Sequence, residues 1–367
     1  MPPSTLERCL PVLRCPVTRA PLDLLPASEI AAANQDIAGG LRLHRDGSAP
    51  RAPLTGALGT PDRACLYRVE DDVAWLLPSL AVVRPGGVAP GLGAEKELVK
   101  SFYDEFGWVK QAGGLFNDTA QFNVRTARAI AYQQYCNARI NRWLGGGHLL
   151  LDAASGAIPH AEYLRYSAGY ETRVCVDFSI RALAEARAKL GSRGLYLLGD
   201  LTRLPLADGA VDAAISLHTI YHIPPGEQAA AVDELVRVTR AGGRVVIVYV
   251  WARSAAMEAA FALRGWLGRT RRLGRASPVA RPPGAGPAAP ALYFQPQDYG
   301  WFARHVARRH PVRLRVWSAV SGAFQARFFS DGITGRLSVA AVKLLENALP
   351  ALAGRFGQYP LFVIDKP

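Results

Sequence analysis

Three short apolar runs in this chain each end on an aspartate. HLLLD (148–152), RVCVD (173–177) and LYLLGD (195–200) close on Asp152, Asp177 and Asp200. A carboxylate at the end of the second such strand accepts hydrogen bonds from both hydroxyls of a ribose. One at the end of the third accepts from an adenine amine. The three together outline a nucleoside-shaped site. No fixed cation is expected beside them, which argues against a pyrophosphate ligand. His218 and His222 follow a fourth run, VDAAISL (211–217), with Tyr221 next to the second. Histidine titrates near neutrality, so this pair supplies the candidate general base. Their spacing puts them on one face if the turn is helical. The pair has no evident third partner for a metal.

The elements that must position these groups are legible as changes of period. From Glu95 to Leu144 apolar and aromatic residues recur at three- and four-residue spacing (Leu98, Phe102, Phe106; Ile130, Tyr135, Ile140), which predicts helices. From residue 148 on, the four runs above and RVVIVYV (244–250) alternate with helical stretches at Ser179–Leu190 and Glu227–Thr239. Strands alternating with helices predict a parallel sheet covered on both faces. Ligands in such sheets bind beyond the carboxyl ends of the strands. Residues 251–292 read as an insertion: a helix at Ala255–Leu267, an arginine cluster (Arg269, Arg271, Arg272, Arg275), then a Pro/Gly-rich half. A helix near Pro296–Val306, a strand near Val312–Trp317, a helix at Ser338–Leu349 and a strand at 361–364 are expected beyond it. Residues 1 to about 80 carry short apolar runs broken by Gly/Pro stretches and form a first, smaller α+β unit.

At 367 residues the chain has room for one large domain and a small module. It holds five scattered cysteines and no C-x-x-C pair, which argues against a disulfide framework or a zinc site. No apolar run reaches the ~18 residues of a membrane span, and the first residues do not read as a signal peptide, so a cytoplasmic location is expected. The net charge of +13 comes chiefly from arginine in a chain rich in Ala, Gly and Pro. That balance fits a GC-rich bacterial genome as readily as a polyanionic partner.

The strings HLLLDAASG, VCVDFS, GDLTRLPLADGAVDAAISLHTIYHI and ELVRVTRAGGRVVIVYVW together resemble the class I S-adenosylmethionine-dependent methyltransferases, type 11-like, over roughly 145–250. The resemblance implies a Rossmann-like, seven-stranded, mostly parallel sheet at 95–367 with S-adenosylmethionine as cofactor. It places Asp152, Ala154, Ser155 and Gly156 around the amino-acid and ribose portions, Asp177 on the ribose and Phe178 near the adenine. Asp200 and Leu201 would read the adenine edge, and Leu217 and His218 would line the methionine side. Tyr103, in SFYDEFGW (101–108), would belong to a helix that closes over the cofactor. The family's turn carries glycines where this chain has Ala154, Gly156 and Ile158. An alanine at positive φ costs about 1 kcal/mol or more; either the turn takes negative φ there or the loop is shaped differently. Residues 1–82, through LPVLRCPVTRAPL and CLYRVEDDVAWLLP, resemble the zinc-ribbon-like activator of tRNA methyltransferases, with Thr18 where metal-binding versions have a second cysteine, which implies a metal-free version.

The functional expectation is methyl transfer to an O or N nucleophile of a small molecule (a metabolite, natural product or lipid-linked intermediate), with His218, His222 and Tyr221 as catalytic candidates. The aromatic residues Trp251, Trp266, Tyr293, Phe294, Tyr299 and Trp301 are expected to wall the substrate chamber. Peripheral membrane contact through 255–275 is compatible with this reading. An RNA methyltransferase and a non-catalytic S-adenosylmethionine-binding or activator protein are the alternatives. Nucleic acid is the less favoured partner, because no N/D-P-P-Y/F-like motif follows the fourth strand.

Overall fold

Short β-branched and leucine-rich runs, punctuated by glycine and proline, form thirteen strands in the computed structural model, which describes residues 3–50, 53–86, 91–122, 126–269 and 292–367. Six precede the helical region: β1 (Asp23–Leu24), β2 (Leu43–His44), β3 (Ala57–Gly59), β4 (Leu66–Glu70), β5 (Val73–Trp75) and β6 (Val82–Val83). Seven follow it: β7 (Gly147–Ala153), β8 (Tyr170–Asp177), β9 (Gly194–Leu198), β10 (Val211–Leu217), β11 (Thr239–Val248), β12 (Val312–Ser318) and β13 (Tyr359–Asp365).

The central sheet runs β5-β9-β8-β7-β10-β11-β13-β12. Every pairing from β5 to β11 is parallel, and β13 is antiparallel to both its neighbours. The chain moves outward from β7 to β9, then returns to β10 on the other side of β7. That reversal is the switch point at which such sheets open a crevice. The Rossmann-like α/β class expected from the sequence is the fold observed. The helices Ile180–Leu190 and Gln228–Val238 bury Ala182, Leu183 and Ala186, and Ala231, Val232, Leu235 and Val238, against the sheet.

The N-terminal segment is continuous with this sheet. β4 and β5 form a hairpin whose two turn residues, Asp71 and Asp72, take φ of 51° and 61°. Positive φ at both central positions matches the right-handed twist of the flanking strands. β5 then pairs in parallel with β9, Ala74 opposite Leu197. Leu13, Cys15 and Tyr67 share one apolar core with Leu195 and Leu197. The Cys15 thiol accepts from the Thr18 amide at 3.3 Å and meets the Tyr67 hydroxyl at 3.1 Å. Its pKa is drawn down to about 5, first by a hydrogen bond from the adjacent Cys65 thiol. All five cysteines are free and buried. Among the described residues no three His, Cys, Asp or Glu side chains are grouped to hold a metal ion.

The region before β7 is helical, in pieces: Ala94–Phe102, Asn117–Phe122 and Ala127–Ala138. A single π turn, Tyr103–Gly107, ends the first piece. After β11 the helix Ala255–Arg269 appears as expected. The arginines 271, 272 and 275 and the Pro/Gly-rich half lie outside the described residues. The predicted helix near 296–306 is a four-residue helix, Tyr299–Phe302, with a π turn behind it, and that at 338–349 starts earlier, at Ile333. Among the described residues no single helix is long and apolar enough to cross a membrane.

Candidate active site

The turn after β7 is built from positive φ at alternate positions. Ala154, Gly156 and Ile158 take φ of 57°, 54° and 51°. Neither sequence-based alternative holds: the turn keeps the left-handed conformation at all three positions. At alanine and at the β-branched isoleucine this costs about 1–2 kcal/mol each. The surroundings hold it in place. Ala154 and Ser155 donate their amides to the Val176 carbonyl at 2.7 and 3.2 Å, and the Ile158 side chain is buried in the core. Gly156 has a second constraint, since a Cβ there would lie 2.5 Å from Trp108 Cζ2. The backbone thus approaches the cavity closely only because this residue has no side chain. Gly156→Ala is expected to push Trp108 outward. The variant would show a red-shifted tryptophan emission and a lower melting temperature than the wild type, and an unchanged spectrum would refute the contact.

The three strand-end aspartates have different partners. Asp152 is paired with Arg173, whose Nε donates at 3.0 Å and whose Nη2 makes a second, shorter contact. Both side chains are nearly fully buried. Asp200 is engaged on both oxygens: Oδ2 accepts from Lys96 Nζ at 2.8 Å, and Oδ1 accepts from the Thr202 amide and hydroxyl, each at 2.8 Å. Two of the carboxylates therefore do have fixed cations, contrary to the sequence-based expectation. Lys96 arrives from a helix 104 residues before its partner, and Arg173 reaches Asp152 across the β7–β8 pairing. Asp200 does not line the cavity described below, whereas Leu201 does.

Asp177 is the exception. Its Oδ2 accepts from the Gly156 amide at 2.8 Å and its Oδ1 from the Ser179 amide at 2.9 Å. No cation contacts it among the described residues. Burial pushes its pKa up to about 6, against the lowering effect of the two amides. Each oxygen retains acceptor capacity, and the carboxylate faces a cavity.

That cavity has a volume of about 550 Å³. It brings together every sequence-predicted site residue except Asp200: Tyr103, Asp152, Ala154, Ser155, Gly156, Asp177, Phe178, Leu201, Leu217, His218, Tyr221 and His222 all line it. Tyr103 stacks on Trp108 at 5.1 Å and donates to Asp118. Burial raises Asp118 to about 6, and the Tyr103 hydroxyl partly offsets this.

The two histidines do not share a helical face. His218 takes φ of 61°, and the short turn Ile220–His222 begins only after it. Its ring sits edge-on to Trp317, 4.4 Å between centroids, and to Tyr359. Burial lowers its pKa to about 3, with the charges of His160 and His222 adding to this. His222 packs against Tyr221 and Phe294. Its Nδ1 lies 2.7 Å from the Tyr293 carbonyl, so Nδ1 carries the proton and Nε2 presents a lone pair. Burial lowers this ring to about 4, so it is neutral at pH 7.

Sequence reasoning missed His160, Asp118, Tyr132, Tyr163, Trp317 and Tyr359, all of which line the cavity. His160 closes the string AASGAIPH and was within reach of it. The aromatic walls were not, because Trp317 and Tyr359 come from β12 and β13. Of the expected aromatic walls, Phe294 lines the cavity. Trp251 and Trp301 instead pack in the core, and Tyr299 packs against Trp251 and Phe302. The Trp266 side chain lies outside the described residues. The Nε1 donors of Trp108 and Trp317 are buried with no partner among the described residues.

Residues 151–247 match the family profile described as a methyltransferase domain. The demethylmenaquinone methyltransferase of Mycolicibacterium paratuberculosis is 36% identical over 104 residues, 28% of this chain and 42% of that protein. That of Beutenbergia cavernae is 35% identical over 101 residues, 28% of this chain and 40% of its own length. The chain thus spans less than half the length of these curated relatives. Among solved structures, geranyl diphosphate C-methyltransferase from Streptomyces coelicolor is similar over 76% of this chain and 100% of its own, at 12% identity and a TM-score of 0.43.

Proposed function

We propose that this protein binds S-adenosylmethionine in the crevice between β7 and β10 and transfers its methyl group to an O or N nucleophile of a small, largely apolar molecule. One observation carries the reading. Asp177, at the end of β8, is buried, oriented by two backbone amides, free of any cation among the described residues, and turned toward a cavity of about 550 Å³. A ribose diol is the partner that such a carboxylate suits. The close backbone approach at Gly156 makes room for it. The methyltransferase-domain match over 151–247 and the name of the curated relatives point the same way.

The bound cofactor supplies an electrophilic methyl on a sulfonium. The chain's contribution is alignment, exclusion of water and handling of one proton. Asp177 would hold the ribose and Phe178 would pack near the adenine. Tyr103, stacked on Trp108, would cover the site. His222 Nε2 is the general base by tautomer and by its position on the cavity wall. Being neutral at pH 7, it would be free to take up the proton that the acceptor's O or N gives up. His218, wedged between Trp317 and Tyr359, would shape the methionine side. The enclosed shape and the aromatic residues in its wall, among them Tyr132, Tyr163, Trp317 and Tyr359, suit a small molecule better than an RNA strand.

Calorimetric titration of the full chain tests the reading. We expect micromolar binding of S-adenosylmethionine and S-adenosylhomocysteine; no heat from either ligand would overturn it. With an acceptor found by screening for labelled-methyl transfer, His222→Gln is expected to lower kcat by about 100-fold or more. Cofactor affinity should be unaffected. A change in cofactor affinity with kcat intact would remove His222 from the role of base.

A further inference from the structure

Behind the partition formed by Gln133, Pro159 and His160 lies a second, smaller cavity of about 180 Å³. These three residues line both spaces, so the two adjoin. The smaller one is far roomier than the ~10–15 Å³ a single water needs. Its wall includes Asn137 and Thr119, which are 0% and 3% exposed. Neither Asn137 amide atom has a hydrogen-bond partner among the described residues, and neither does Thr119 Oγ1. Leaving buried donors and acceptors unpaired costs free energy, and native structures rarely tolerate it without a ligand or ordered water. The Asn137 backbone is anchored. It lies at the end of the helix Ala127–Ala138, whose position is fixed by the Tyr166 hydroxyl donating to the Asn137 carbonyl at 2.9 Å.

We infer that this annex receives the polar, uncharged end of the methyl acceptor, a group that offers a donor and an acceptor side by side such as a carboxamide or lactam. The side-chain amide of Asn137 presents the complementary pair of functions, and the Thr119 hydroxyl adds a third. Glu162 also lines the space, and among the described residues no lysine or arginine does; an anionic end would meet that acidic side chain. The inference rests on the proposed methyl-transfer reading. The acceptor's nucleophile sits in the main cavity near His222, and its far end reaches past His160 into the annex.

Benzamide, an apolar ring bearing a carboxamide, is the probe, with benzoate as the charged control. Both are titrated into the full chain with and without saturating S-adenosylhomocysteine. Benzamide is expected to bind at least tenfold more tightly than benzoate. Asn137→Leu should weaken benzamide at least tenfold, leave S-adenosylhomocysteine affinity within twofold, and not lower the melting temperature. Thr119→Val, which keeps the shape, should weaken benzamide in the same direction and provides the readout if Asn137→Leu folds poorly. Equal binding of the two probes, no benzamide binding, or benzamide affinity unchanged in both variants would overturn the inference and leave the annex to ordered water. Failure of S-adenosylhomocysteine to bind would sink the cofactor reading instead, and the benzamide comparison without it would still decide the annex.

Discussion

Asp177→Ala is expected to bind S-adenosylmethionine about 100-fold more weakly than the wild type, or worse. Two charge-assisted hydrogen bonds to a ribose diol are worth about 1.5–3 kcal/mol each, and every 1.4 kcal/mol is about tenfold in affinity. Asp177→Asn separates charge from shape, since it keeps one carbonyl acceptor for the backbone amides and loses the rest. We expect a loss of at least about tenfold. The wild type adds a pH signature. Burial raises Asp177 from an ordinary carboxylate value to about 6 in the free protein. A raised folded-state pKa contributes stability that is fully present below the unfolded value and is lost as pH rises through about 6. Cofactor binding has the opposite sign, because the ionised form is the one that accepts both hydroxyls. Affinity should fall by roughly tenfold between pH 7 and pH 5, the fraction still ionised at one unit below the pKa. In Asp177→Asn the profile should be clearly shallower, any remaining slope coming from Asp118, which lines the same cavity and is also raised to about 6. Calorimetry in two buffers of different ionisation enthalpy should show about half a proton released per cofactor bound near pH 6. A flat wild-type profile would mean that Asp177 is not the ribose ligand.

Most of the sheet was legible because its strands are apolar runs ending at turn residues, a local signal. HLLLD, RVCVD, LYLLGD and VDAAISL became β7 to β10 with ends shifted by at most three residues. The strand β5 was not legible as part of that sheet. Val73–Trp75 is three residues long, and its pairing with β9 spans more than a hundred residues of sequence. The site divides in the same way. Asp177, the glycine-bearing turn and the histidines sit at strand ends, where sequence alone places them. The partners that decide which carboxylate is available do not. Lys96, a charge at the start of a helical stretch, is buried between Asp200 and Glu227. Nothing local in RVCVD marks Arg173 as the partner of Asp152; the β7–β8 register does. The positive φ at Ala154 and Ile158 was equally out of reach. Local propensity argues against it, and only the tertiary frame enforces it.

Arg173→Met should be the most destabilising single change at this site, at about 3–5 kcal/mol, the usual cost of removing one partner of a buried ion pair. The register shows why the pair forms. Arg173 lies opposite Leu150 and Asp152 opposite Cys175 on the parallel strands β8 and β7. Side chains two residues apart share a face, so Arg173 and Asp152 project from the same side of the sheet, one step along. The guanidinium also donates to the Tyr163 carbonyl at 2.6 Å. It thereby ties the end of β7 to the helix Ala161–Leu164, and Tyr163 lines the cavity. Methionine would fill the volume but leave Asp152 as an uncompensated charge and Tyr163 without its donor. Asp152→Asn alone removes the charge and keeps an acceptor, so it should cost less. The double variant Asp152→Asn/Arg173→Met should recover much of the loss, because replacing both partners of a buried pair is often close to neutral. Chemical denaturation of the four proteins measures the coupling directly. A coupling of about 2 kcal/mol or more would show that the pair, rather than either residue, holds the turn in place. Additive losses would place the stability of the turn in the apolar core around Ile158 instead.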